Sequence, residues 1–173
     1  MPMKRLAFLA LIMLFAAVLA SCAKGSSESV EGMINPGDKI GDFLITTGGD
    51  EGVTYVSMMH CPFDESAGTE IESCEFPVGT KVNVGIGFIA DPSTGKSLDE
   101  IWSEHTDKIV IEGRPVNLQA FGSIDIPHPA VGRVRNWNVV IVADKPGKIS
   151  ARSTGEAGGD SFDYTAALTF VAP

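Results

Sequence analysis

Basic residues are scarce in this chain, where 13 Lys and Arg stand against 22 Asp and Glu. So acidic a surface raises the cost of approaching phosphates, and Arg133 with Arg135 is only a local pair, so nucleic acid is disfavoured as a partner. Histidine is scarcer still. His60, His105 and His128 are the whole supply, too scattered for the paired, fixed-spacing ligands of a zinc signature. Gly-x-Ser-x-Gly and His-Glu-x-x-His are both absent, which removes two common frameworks for an activated serine and a metal-bound water. No EF-hand spacing and no dense Asp-x-Asp-x-Asp run appears, so the usual loop for calcium is missing. The glycines of Gly155–Gly159 precede no helical pattern, so they lack the amide-rich helix end that cradles phosphate and read as a hairpin loop. Internal repeats and heptads are lacking too. Nothing here argues for an enzyme, and no cofactor is expected.

Long apolar runs are equally rare, and the one present is at the start. Lys4 and Arg5 give a short positive end, and Leu6 to Ala20 supply 15 residues without a charge. A bilayer core takes about 20 apolar residues to cross, so this run fits a secretion leader better than a span. It ends in Leu19-Ala20-Ser21-Cys22, which resembles the lipobox of bacterial lipoproteins. The resemblance covers the leader and four residues of box. It implies that residues 1–21 are removed, that Cys22 becomes the first residue and carries lipid, and that the chain is anchored to a membrane of the cell envelope, facing periplasm or exterior. An ordinary signal peptide, or an uncleaved anchor with Cys22 incidental, is the alternative. Ala23 in place of Asp leaves outer-membrane sorting open where the cell has two membranes.

Removal of 1–21 leaves 152 residues, enough for one domain with a buried core plus a tether. The loss of Lys4 and Arg5 takes 13 basic residues to 11, so the mature chain sits near −11. Residues 22–32 are small, polar and glycine-containing and are expected to form a flexible tether; residues 33–173 are the domain. With Cys22 assigned to lipid, Cys61 and Cys74 remain as an even pair in an exported chain and are expected to bond to each other. Such a bridge would close a 14-residue loop, worth roughly 3 kcal/mol in the chain-entropy view. The residues between them are polar and turn-rich, without a clear apolar period. Free or metal-bound thiols are the alternative.

From Met33 the pattern is of short apolar runs rich in β-branched residues, punctuated by Gly, Pro, Asp and Asn, which predicts an antiparallel β protein. Strands are expected at 40–46, 53–58, 81–90, 108–112, 116–121, 134–143, 148–153 and 162–171. Asp144-Lys145-Pro146-Gly147 predicts a tight turn joining 134–143 and 148–153 in a hairpin, and Glu112-Gly113-Arg114-Pro115 predicts another. Ser97-Leu98-Asp99-Glu100 fits a capping box, and Leu98, Ile101, Trp102 and His105 make one stripe on a helix of two to three turns. The expected class is all-β, an antiparallel immunoglobulin-like β-sandwich with one short helix across an open end or edge. In strand spacing and hairpin turns it is similar to the immunoglobulin-like sandwiches of bacterial surface proteins, without their Cys-Trp-Cys arrangement.

The densest group of soft ligands is Met58-Met59-His60-Cys61, of a kind copper prefers. Neighbours on a strand point to opposite faces, so the four cannot converge on one ion without a bend. Carboxylates gather at Asp50-Glu51, Asp64-Glu65, Glu70 with Glu72 and Glu75, and Asp160 with Asp163, expected in loops as a solvated acidic surface. His128, between two prolines, is expected exposed in an extended loop. Trp102 and Trp137 could stack on a sugar or partner but are expected to pack in the core. The sequence thus predicts a lipid-anchored, non-catalytic module that binds an envelope protein, glycan or small ligand, with copper or calcium handling as the alternative.

Overall fold

Strands form in this chain where alternate side chains can reach a shared core. The computed structural model describes residues 32–49, 51–56, 61–66, 68–90, 93 and 95–173. Cys22, the expected tether up to Glu31, and Met58, Met59 and His60 lie outside the described residues. In chain order come β1 (Lys39–Ile40), β2 (Phe43–Thr46), β3 (Val53–Tyr55), β4 (Phe63–Ser66), β5 (Thr69–Pro77), β6 (Lys81–Asn83) and β7 (Gly87–Phe88). Helix α1 (Leu98–Glu104) follows, then β8 (Thr106–Ile111), β9 (Arg114–Pro115) and a four-residue helix, α2 (Leu118–Phe121). Last are β10 (Ser123–His128), β11 (Gly132–Trp137), β12 (Val140–Ala143), β13 (Gly147–Ala157) and β14 (Asp160–Val171).

The fold is all-β in class, with three sheets, two of them mixed. Their orders are β1-β2-β12-β6-β3, β10-β11-β7 and β4-β5-β14-β13-β8-β9. Most ladders are antiparallel, but β5 runs parallel to β14 and β3 parallel to β6. One buried cluster draws on the first and third of these sheets, with Ile45, Val82, Ile141 and Ala143 from one and Phe76, Ile109, Ile111, Ile149, Leu168 and Phe170 from the other. Phe170 is the joint between them, since its ring meets both Phe43 and Phe76 at 5.9 Å. A second, smaller cluster of Phe88, Leu98 and Ile101 takes in Ile86, Trp102, Ala157 and Phe162 and seats α1.

Three expected strands break in two: 40–46 turns back on itself as the β1–β2 hairpin, and 81–90 and 134–143 break at the same place. Asn83 is fully buried; its side-chain amide donates to the Trp137 carbonyl at 2.9 Å and its oxygen accepts the Gly85 amide at 2.9 Å. A Cβ on Gly85 would lie 2.4 Å from that same carbonyl, so only glycine permits the approach. On one side of this crossing β6 pairs with β12, and on the other β7 pairs with β11. Each chain segment therefore passes from one sheet to another.

Other expectations are corrected. The Asp144–Gly147 turn does not close a hairpin of neighbours: β12 and β13 belong to different sheets, so the turn crosses between layers. Residues 116–121, expected as a strand, hold α2, where Gly122 at φ 66 ends the turn and donates to the Leu118 carbonyl. Residues 123–128, unassigned by pattern, pair with β11 along their length. The stretch between the cysteines, expected to be irregular, is the β4–β5 hairpin, with Phe63 opposite Glu72. The Glu112-Gly113 hairpin is present as expected, with Ile111 opposite Arg114 and both turn residues at positive φ, 47 and 78. The capping box on α1 is present as well: the Ser97 hydroxyl accepts from the Glu100 amide, and the Glu100 carboxylate accepts from the Ser97 amide at 2.8 Å.

Ile141, fully buried between β2 and β6, should be the test of the shared core. Ile141→Ala is expected to cost about 2–5 kcal/mol in urea unfolding, whereas Val131→Ala, 42% exposed on a loop, should stay within about 0.5 kcal/mol of the parent.

Candidate functional site

Helix α1 is held on the three-stranded sheet by charge as well as by apolar packing. Arg135 on β11 forks onto Asp125 of β10, with Nη2 donating to Oδ2 at 3.0 Å, while Nη1 donates to Asp99 of α1 at 2.8 Å. Arg133 also reaches Asp125, at 3.0 Å. The hydrogen bonds from Arg135 hold the Asp125 carboxyl below its ordinary range. The Arg135 guanidinium lies over the Trp102 ring at 5.7 Å, a favourable cation–π placement. Trp102 packs on Trp137 at 4.9 Å and on His105 at 4.3 Å, and His105 packs on Phe88 at 4.5 Å. Both indoles are half-buried in this cluster, in keeping with the expected packing role. His105 caps the helix and donates from Nδ1 to the Trp102 carbonyl at 2.6 Å; burial lowers its pKa.

Beside this cluster an apolar groove of about 500 Å³ opens between Ile89, Ala90, Gly95, Lys96, Ala130 and Val131. Among the described residues, Ile89 and Val131 are two of the few large apolar side chains left exposed. Lys96 also stands at Ser-x-x-Lys spacing from Ser93. These residues sit in the loop before α1, not on a helix turn, and the Lys96 ammonium pairs with Glu104. That arrangement supplies apolar contact beside a cation already engaged. His128 lies at the end of β10 opposite Gly132 and is half-buried, more enclosed than expected; its Nδ1 accepts the Ala130 amide at 3.3 Å.

Cys61 and Cys74 are bonded to each other, with Cα atoms 5.2 Å apart, inside the usual span for a disulfide. Glu72, expected on a solvated acidic loop, is instead buried on β5, sharing the inward face with Cys74 and Phe76. Its carboxylate accepts the Cys61 amide at 3.1 Å on Oε1 and the Tyr164 hydroxyl on Oε2. Burial, then the hydrogen bond to Glu72, raise the Tyr164 phenol far above its ordinary 10.0. Other acids in the expected clusters also lie in strands. Asp64 and Glu65 are on β4, and Asp163, on β14, forks onto Arg152. Among the described residues, one group of three potential metal ligands has donor atoms mutually within 4.8 Å: Cys61, Glu72 and Cys74.

Asp107 was missed by motif reading, although its spacing two and four residues before Ile109 and Ile111 places it on the core face of β8. Both carboxyl oxygens are buried without a hydrogen-bond partner of good geometry, as is the Trp137 Nε1. Opposite Asp107 stands Gly155, where a Cβ would meet the Thr106 carbonyl at 1.9 Å and the Phe162 ring at 2.7 Å. Burial pushes the Asp107 carboxyl up to about 7, with the Lys108 amide offsetting part of the effect.

Comparison with family models, curated proteins and solved structures gives no match to this chain.

Asp107 makes stability depend on pH with a definite sign. Its folded pKa of about 7 lies above the ordinary 3.8, so between those values the folded state holds a proton that the unfolded state has lost. Stability therefore falls as pH rises from roughly 4 to 7, by something on the order of 2–4 kcal/mol, and levels off above. Asp107→Asn should lack this slope. Urea midpoints of both proteins from pH 4 to 8 should converge toward acid and separate toward alkali, with the variant the more stable at pH 8; parallel profiles would refute the assignment.

Proposed function

We propose that the protein is a non-catalytic binding module tethered to a membrane of the bacterial cell envelope by lipid on Cys22. The observation that carries this reading is the leader itself, a basic end, an uncharged 15-residue run and Leu19-Ala20-Ser21-Cys22 in immediate succession. The Cys61–Cys74 disulfide supports it, because such bonds persist in exported chains and seldom in reducing cytosol. In this reading residues 33–173 face periplasm or exterior and bind an envelope protein, a glycan or a small ligand, and the sheets are a variant of the immunoglobulin-like sandwich with parallel pairings added. Two or three acyl chains on Cys22 would make attachment stable. The second reading, metal handling, is favoured by one observation, the closeness of Cys61, Glu72 and Cys74.

Expression of the full chain in a bacterial host fed an alkyne-tagged palmitate tests the anchor. The parent should take up label and sediment with membranes, while Cys22→Ser should do neither. An unlabelled parent chain, or a Cys22→Ser variant labelled as strongly as the parent, would overturn the reading.

A further inference from the structure

We propose that reduction of the Cys61–Cys74 bond turns Cys61, Glu72 and Cys74 into a site for one soft divalent cation, with zinc the type case. The proposal deepens the metal-handling reading and does not depend on the lipid anchor. Its starting point is the placement of Glu72. A buried carboxylate gains little from a neutral disulfide, yet this one lies with one oxygen within 4.8 Å of both sulfurs. It is fixed there from two sides, by the Cys61 amide and the Tyr164 hydroxyl. Two donors occupy about half of the acceptor capacity of a carboxylate, so lone pairs remain for an ion. Glu72 has no Lys or Arg ion-pair partner among the described residues. Around it on the same strand stand Glu70 and Glu75, and on β4 stand Asp64 and Glu65.

The oxidised site cannot serve, because disulfide sulfurs are neutral and poor ligands. A dithiol reductant changes that: it gives two electrons and two protons to the Cys61–Cys74 bond, leaving two thiols here and a disulfide on the reductant. A divalent ion then displaces both thiol protons to solvent and takes two thiolates and one carboxylate oxygen. Zinc holds sulfur at about 2.3 Å and oxygen at about 2.0–2.2 Å, so tetrahedral ligand atoms lie roughly 3.3–3.8 Å apart. One carboxylate oxygen already lies within 4.8 Å of both sulfurs, and rotation of the cysteine side chains about χ1 would part the sulfurs toward that spacing. The third negative ligand, without a Lys or Arg ion-pair partner among the described residues, leaves the reduced site short of positive charge, which the ion supplies. Two thiolates select a soft or borderline metal over calcium or magnesium. The fourth position is left for water or a donor from a partner.

The full chain, reduced with a phosphine under argon and titrated with Co²⁺, gives the readout. One Co²⁺ per chain with a thiolate-to-cobalt charge-transfer band is expected in the reduced form and none in the oxidised form. Cys22→Ser should retain the band and Cys74→Ser should lose it. Glu72→Gln should weaken binding at least about 10-fold. Zinc protection of Cys61 and Cys74 from alkylation in the unmutated reduced chain provides a measure that needs no variant to fold. Failure of the reduced chain to take Co²⁺, unchanged affinity in Glu72→Gln, or alkylation indifferent to zinc would each overturn the site. None of these outcomes bears on labelling at Cys22, so this proposal and the anchor fail separately.

Discussion

The close approach of Gly85 to the Trp137 carbonyl is the contact on which the architecture turns. A side chain at 85 would strike the carbonyl, and without this approach neither 81–88 nor 132–143 could leave one sheet and join another. Asn83 makes the crossing tolerable, for it satisfies the Trp137 carbonyl and the Gly85 amide just where the ladder loses regular pairing. A buried side-chain amide thus replaces strand hydrogen bonds at the corner, and it can do so because it carries both donor and acceptor. Downstream of the corner β7 and β11 form the short sheet that receives α1, so the helix, the indole pair and the apolar groove all depend on the same bend. Arg135 then ties β10, β11 and α1 together and lies over the Trp102 ring.

Local chemistry was legible where a feature is settled within a few residues. The capping box at Ser97, the hairpin at Glu112-Gly113 and the pairing of Cys61 with Cys74 belong to this kind, since each follows from neighbouring residues or from counting thiols. The corner was not. Residues 134–143 read as one uninterrupted strand because Asn138 and Val139 carry no breaker, and the break is imposed by Gly85 from some fifty residues away. The Asp144–Gly147 turn shows the same limit: Pro and Gly specify that the chain reverses, but whether the two arms pair or belong to facing layers depends on twist and on which sheet needs another strand. Residues 69–77 were hidden for a different reason. Strict alternation is present there, but Glu at 72 stands where an apolar residue would have signalled the inner face, and without it the pattern reads as polar loop.

The acidic composition has two parts. Most carboxylates lie in the open, several against Lys or Arg, where they are worth little to stability and give the chain its solubility. Glu72 and Asp107 do not fit that description, for both project inward from the six-stranded sheet, toward the end where its inner face turns from Phe76, Ile149 and Phe170 to Tyr164 and Ser153. One sheet therefore has an apolar end that supports the fold and a polar end whose cost is tolerated. Stability alone does not favour the second, because an apolar residue of similar volume at 72 or 107 would avoid desolvation.

The two inward acids meet that cost in opposite ways, and the difference bears on what each can do. Asp107 has no partner of good geometry and keeps its proton up to about pH 7, so near neutrality it offers a donor or a weak base and makes a poor ligand for a cation. Glu72 is held by an amide and a phenol, donors that fix the orientation of its oxygens. A carboxylate so fixed beside two sulfurs is preorganised for a positive charge that the oxidised pair does not bring. The disulfide, which reads from sequence as a staple for a short loop, therefore also blocks the ligands best placed to share that charge. Breaking it would loosen β4 against β5 and free them in the same step, so the local staple and the proposed cation site are alternatives set by one bond.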